Sequence, residues 1–168
     1  MALSMYRASV PVFIKHLNGL AGCLKKAAAQ YGEKKCDEAS LLSYRLYPDM
    51  FHFTRQVQAA TDHARNGTAR LAGQEPPKAE DNEKSLAELI ARVEKTVAFL
   101  NTIKPAQVDG SEEKTITLKM GEREVTFSGT EFLLNRSMPN FYFHATTAYA
   151  IMRHNGVELG KRDFMGAN

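Results

Sequence analysis

Residues 139–154 read Pro-Asn-Phe-Tyr-Phe-His-Ala-Thr-Thr-Ala-Tyr-Ala-Ile-Met-Arg-His, an apolar segment in which amide, imidazole and hydroxyl groups recur at helical spacing. Four of its side chains share one helical face: Asn140, His144, Thr147 and Ile151. Polar groups that are buried in a core must find partners. The segment therefore predicts a central buried helix with a polar site on it.

Three other segments repeat apolar residues at intervals of three and four, which is typical of amphipathic helices in bundles. We expect long helices over about residues 3–32, 49–71 and 86–103. Ser4 has the side chain to cap the first of them, and Gly32 has the backbone freedom to end it with a positive φ. A shorter helix is expected from Asp37 to about Leu46.

The last helical region is expected to open at Ser128, which has capping-box spacing to Glu131, and to be kinked by Pro139. Four long helices indicate a four-helix bundle. The connection between the second and third helices is short, whereas the other two are long enough to cross the bundle. These lengths favour an up-up-down-down order.

Between the third and fourth long helices the apolar period changes from helical spacing to two, over residues 115–127. Gly121 suits the first position of a two-residue hairpin turn. The register that this turn sets pairs two sets of apolar residues on one face, Leu118 with Val125 and Ile116 with Phe127. The sequence thus predicts an all-α fold, one domain over residues 1–168, with a small β-hairpin between helices 3 and 4.

Composition and charge exclude several classes of protein. The chain has 168 residues, 43% hydrophobic and 24% charged, as in an ordinary folded domain. Its net charge of +3 is spread along the length, so no nucleic-acid partner is expected. The uncharged stretch 137–152 is too short and too polar to cross a membrane, and the N-terminus does not resemble a secretion signal. Two cysteines fit a cytoplasmic location.

The candidate site joins three residues from two helices. Asn140 and His144 are one helical turn apart, which lets two side chains hold one ion. His63, at the border of the buried face of helix two, is the best third ligand because bundle cores hold such sites between facing helices. The ion would be a divalent metal such as zinc or nickel. The alternative is a hydrogen-bonded cluster around a buried water. Asp62 could orient a histidine or lie in solvent, and solvent is expected.

Several runs of this sequence resemble one protein family. They are Ser4-Met-Tyr-Arg-Ala-Ser-Val-Pro-Val-Phe, Tyr47-Pro-Asp-Met-Phe, Gln56-Val-Gln-Ala-Ala-Thr-Asp-His63, Pro139-Asn-Phe-Tyr-Phe-His144, Ala148-Tyr-Ala-Ile-Met-Arg-His-Asn-Gly and Leu159-Gly-Lys-Arg-Asp-Phe. The family is the domain of unknown function DUF1993, within the DinB/YfiT-like superfamily of metalloenzymes. The resemblance covers nearly the whole chain.

The resemblance implies a four-helix bundle that often dimerises. In the typical superfamily pattern, a histidine on helix two and a His-x-x-x-His pair on the last helix bind a divalent metal. The matching positions are His63, Asn140 and His144, so the first member of the pair is replaced by asparagine here. The resemblance implies a thiol-dependent transferase or isomerase. The alternative is a noncatalytic, dimeric small-molecule-binding or interaction protein with a purely structural polar cluster.

Overall fold

The computed structural model describes residues 3–166 of the chain. It is mostly helical, with one two-stranded antiparallel sheet. The elements are α1 (Met5–Glu33), α2 (Glu38–Leu42), α3 (Phe53–Leu71), α4 (Leu86–Thr102), α5 (Pro105–Val108), β1 (Ile116–Met120), β2 (Arg123–Phe127), α6 (Gly129–Phe132), a π-helical turn (Leu133–Ser137), α7 (Met138–His154) and α8 (Lys161–Phe164).

The four long helices α1, α3, α4 and α7 enclose the core. Helix α1 packs against α4, and α3 packs against both α4 and α7. The rings of Phe13 and Phe141 meet edge to face at 5.0 Å and join α1 to α7. Each is fully buried, and burying such a side chain contributes about 1.5–3 kcal/mol. Pairwise packing fits a helical bundle, and the up-up-down-down order stays a prediction.

Three predicted helix starts are confirmed by their caps. Ser4 accepts a hydrogen bond from the Arg7 amide, and Asp37 accepts one from the amide of Ala39. Ser128 and Glu131 form a reciprocal capping box at the start of α6. Within residues 3–166, no helix combines the length and the apolar composition needed to cross a membrane.

Three predicted helix boundaries were wrong. Helix α1 runs through Gly32 to Glu33, and the left-handed residue after it is Lys35, with a φ of 51°. Helix α2 ends at Leu42 rather than near Leu46. Helix α3 begins at Phe53 rather than Asp49 because extended His52 caps it, its Nδ1 accepting from the amide of Arg55 at 3.4 Å.

The hairpin has the predicted register. Ile116 pairs with Phe127, Thr117 with Thr126, Leu118 with Val125 and Lys119 with Glu124. Gly121 has a φ of 64°, which the turn requires and which glycine adopts at little cost. Ile116 is buried while Thr117 is exposed, so one face of the hairpin lies against the protein.

A π-helical turn connects α6 to α7 directly before Pro139. Proline has no backbone N–H, so regular hydrogen bonding is interrupted there. Ser137, in this turn, donates its hydroxyl to the carbonyl of His63 at 3.0 Å. A Cβ on the facing Gly67 would lie 2.0 Å from that hydroxyl oxygen. The turn is therefore in close contact with α3 beside the candidate site.

Candidate functional site

His144 lies on the buried face of α7, and Gln56 of α3 orients it. The Gln56 amide donates through Nε2 to the carbonyl of Phe51 at 3.0 Å, which turns its Oε1 toward the imidazole. His144 Nδ1 lies 2.8 Å from that oxygen. An amide oxygen only accepts, so Nδ1 carries the proton and Nε2 keeps its lone pair. The site thus presents a fixed, unprotonated imidazole nitrogen.

His63 lies beside His144, as predicted. Their ring centroids are 5.6 Å apart and their planes differ by 8°. His63 is half-buried on α3, and His144 is buried. The structure therefore brings together the two imidazoles that are distant along the chain.

Asn140 lies one turn before His144, but its amide group is engaged within its own helical segment. Its Nδ2 donates to the carbonyl of Arg136 at 2.7 Å. This hydrogen bond leaves Oδ1 as the atom that Asn140 can offer to a ligand. The carboxamide is thus anchored to the turn before α7, and among residues 3–166 no hydrogen bond joins it to either imidazole.

Both imidazoles are neutral at physiological pH. Burial, then the positive charge that His144 would carry and the charges of Arg136, Arg55 and Arg70, lower the pKa of His63 to about 4. Burial, followed by the charge of Arg55, lowers the pKa of His144 below its ordinary value. Desolvation disfavours the charged form of an imidazole, and nearby cations add to that effect.

The histidine pair offers two of the donors that a metal site would need. Neutral imidazoles are good zinc and nickel ligands, and the Gln56 hydrogen bond is the kind that orients metal-bound histidines. However, within residues 3–166 no three His, Cys, Asp or Glu side chains are grouped to hold an ion. The third donor would be the weak Asn140 oxygen. These residues fit a tightly held divalent ion poorly, and zinc or nickel binding at His63, Asn140 and His144 stays a prediction.

The sequence placed Asp62 in solvent, and this expectation was wrong. Asp62 lies in a network of charged side chains and precedes His63 in the chain. Its carboxylate accepts from Arg65 at 2.9 Å and from Arg92 at 2.7 Å. Arg92 is buried and also contacts Asp81 and Glu83. Asp62 thus accepts hydrogen bonds from two guanidinium groups, and that of Arg55 lies 3.6 Å from its other oxygen. No hydrogen bond links Asp62 to a histidine in the described part of the chain.

A cavity of about 350 Å³ opens beside His63. Its walls come from α3, from strand β1, from α6 and from the π-helical turn. Arg70, Lys119 and Arg136 line it together with the apolar side chains Leu118 and Phe132. Sequence reasoning missed the two arginines, because nothing in their spacing shows that α3 and the turn before α7 meet at this point.

Two exposed aromatic side chains flank His144 on another side. The Phe51 ring is stacked at 6.0 Å from the imidazole, and the Phe143 ring is edge-on at 5.3 Å. Phe51 is 47% exposed and Phe143 is 57% exposed. These two rings leave apolar surface exposed beside His144.

The fold is that of a protein of the DinB type. It is similar to a crystal structure of a DinB family member protein from Shewanella denitrificans at 1.83 Å resolution. The two chains are 40% identical with a TM-score of 0.86, over 97% of this chain and 92% of that chain. None of the curated proteins matches this chain.

The family model for the domain of unknown function DUF1993 matches residues 5–165. The chain belongs to this DUF1993 family. Family membership confirms the resemblance seen in the sequence, and it leaves the activity open because the family is defined without one.

Proposed function

We propose that this protein binds a small molecule noncatalytically at the His63 and His144 pair. The observation that carries the proposal is the hydrogen-bond chain from the Phe51 carbonyl through Gln56 to His144. These hydrogen bonds fix Nε2 of His144 as an acceptor before any ligand binds. Preorganisation of this kind reduces the free-energy cost of binding. The neighbouring cavity offers space for the ligand, with His63 on its wall.

Proton chemistry favours binding over catalysis. A thiol-dependent transferase or isomerase needs a base, or a metal ion, that converts the thiol into a thiolate. His63 has a pKa of about 4. Proton transfer to it from a thiol of pKa about 8.5 would be uphill by about 6 kcal/mol. The superfamily chemistry therefore depends on an ion for which the residues present are a poor fit.

A test of this proposal uses protein with ¹⁵N-labelled histidine and four small probes. These probes are phenol, benzamide, benzoate and phenyl phosphate. We expect the His144 resonances to report the Nδ1–H tautomer, and at least one probe to shift the resonances of both His63 and His144. His63→Leu and His144→Leu should abolish the binding, whereas His154→Gln, at an exposed histidine, should not. Absence of shifts with all four probes would overturn the proposal.

Metal binding is tested separately by elemental analysis of protein purified without an affinity tag. Under the proposed function, zinc and nickel stay well below one equivalent. One equivalent of either ion, lost in His63→Ala or His144→Ala, would replace the proposal with a metal site. Asn140→His should raise metal affinity if the three positions surround one point, because imidazole is a stronger ligand for these ions than a carboxamide.

We also propose that the protein is a homodimer. The support is the exposed pair Phe51 and Phe143, with the exposed Tyr47 in the same loop as Phe51. Sedimentation equilibrium should give a dimer, and Phe143→Ser should weaken it while Tyr6→Phe, away from these aromatic residues in sequence, leaves it unchanged. A monomer at all concentrations would contradict the dimer.

A further inference from the structure

The cavity beside His63 carries an excess of positive charge. Arg70 comes from α3, Arg136 from the π-helical turn and Lys119 from strand β1, so three separate elements bring a cation to it. Among the described residues that line it, Asp62 is the one carboxylate. The hydrogen bonds from Arg65 and Arg92 already occupy Asp62.

The two guanidinium groups have few partners of their own. Arg70 donates to the Asn66 carbonyl at 3.4 Å, a weak contact, and feels the charge of the exposed Glu75. Within residues 3–166, the Arg136 side chain makes no hydrogen bond and no ion pair. Burial lowers the pKa of Arg70. The negative charge of Glu75 opposes this shift, and the positive charge of Arg136 adds to it. Both guanidinium groups are half-buried.

An oxyanion would satisfy both arginines. Guanidinium groups bind carboxylates and phosphates through paired, charge-assisted hydrogen bonds, which are among the strongest that a side chain makes. Two like charges that repel each other beside a cavity gain most from an anion placed between them. A divalent cation would be repelled by the same arginines. The local charge therefore selects for a negatively charged ligand.

The remaining walls describe the rest of the ligand. Leu118 of the hairpin and Phe132 at the end of α6 give the cavity apolar surface. Ligand pockets commonly combine apolar walls with a few convergent polar groups. His63, neutral and on the same cavity, supplies an acceptor for a hydroxyl or an amide.

We propose that Arg70 and Arg136 bind the carboxylate or phosphate group of a small organic anion, whose apolar body packs against Leu118 and Phe132. This inference rests on the proposed function, because it names the class of ligand for that pocket. Carboxylate and phosphate each present a pair of acceptor oxygens that a guanidinium group can bind with two parallel hydrogen bonds, and the probes separate the two sources.

The test compares benzoate and phenyl phosphate with benzamide, a neutral molecule of similar shape to benzoate, by calorimetric titration at low salt. We expect at least one anion to bind tenfold or more tightly than benzamide. Arg136→Gln and Arg70→Gln should each weaken the anion at least tenfold and leave benzamide unchanged. Arg162→Gln removes the same charge from exposed α8 and should change neither.

The outcomes separate the inference from the proposed function. If benzamide binds as tightly as both anions and shifts the histidine resonances, the anion site is wrong and the pocket stands. If Arg162→Gln weakens the anions as much as the cavity variants do, general charge attraction explains them and the anion site is wrong. If no probe binds, both proposals are overturned. Thermal unfolding of each variant confirms that the two cavity variants are folded.

Discussion

His63 makes the stability of the folded chain depend on pH in a defined direction. The folded state holds the pKa of His63 at about 4, against an ordinary value of 6.5 in the unfolded chain. Between these values the unfolded state binds a proton that the folded state refuses, so stability falls as the pH falls. The contribution of neutral His63 to the free energy of unfolding is fully present above about pH 6.5. It is lost as the pH falls, and it stops changing below about pH 4. The difference corresponds to about 3 kcal/mol.

The assay is urea unfolding, followed by circular dichroism from about pH 7.5 to about pH 4.5, for the natural chain, His63→Gln and His154→Gln. Titrating carboxylates affect all three proteins alike, so the readout is the difference between the curves. We expect His63→Gln to lose less stability than the natural chain on acidification, by about 2–3 kcal/mol. His154→Gln, at an exposed histidine, serves as the control. Parallel curves for the natural chain and His63→Gln would refute the assigned burial of the imidazole.

Three further predictions test other contacts of the fold. Arg92→Met should destabilise the chain by about 1–3 kcal/mol in urea unfolding, because it removes the buried guanidinium that joins the half-buried Asp62 and Glu83. Arg65 still binds Asp62 in this variant, and a loss below about 0.5 kcal/mol would contradict the role of Arg92 in the network. Gly129→Ala should cost at least about 1–3 kcal/mol, since its Cβ would lie 1.8 Å from a backbone oxygen. The control Gly22→Ala, in open space on α1, should stabilise the chain by up to about 1 kcal/mol. Equal melting temperatures of the two variants would count against the close approach at Gly129. Only one thiol, that of the exposed Cys36, should react quickly with a disulfide reagent. Cys23 is buried, and burial is the largest cause that raises its pKa to about 11. Two fast equivalents would show that Cys23 is accessible.

Local patterns were sufficient for much of the fold. Period-two spacing gave the hairpin and its register because one face of the ladder must be apolar. Short polar side chains gave the helix starts, since Ser4 and Asp37 satisfy amide groups only a few residues away. The approach of His63 to His144 was also predicted, because both lie on inward faces of helices that a bundle places side by side.

Contacts between distant elements were beyond the reach of spacing. Gln56 reads as one polar residue on a helix, and only its position across from α7 makes it the partner of His144. Asp62 was expected in solvent, yet arginines from α3 and α4 converge on it. Helix ends failed in the same way, as at Gly32, where α1 continues because a positive φ is an option for glycine rather than a requirement.

The π-helical turn accommodates one residue more than an α-helical turn would, and this insertion sets the rotation between two parts of one continuous helix. Each residue of an α-helix turns the chain by about 100°, so deleting one residue here would swing everything before it by that angle relative to α7. The inserted residue therefore changes the direction of residues before it, such as those of α6, without changing the direction of His144 in α7. The surplus residue thus accompanies two contacts of one continuous helix: His144 lies against Gln56 of α3, and Arg136 lines the cavity that strand β1 also lines.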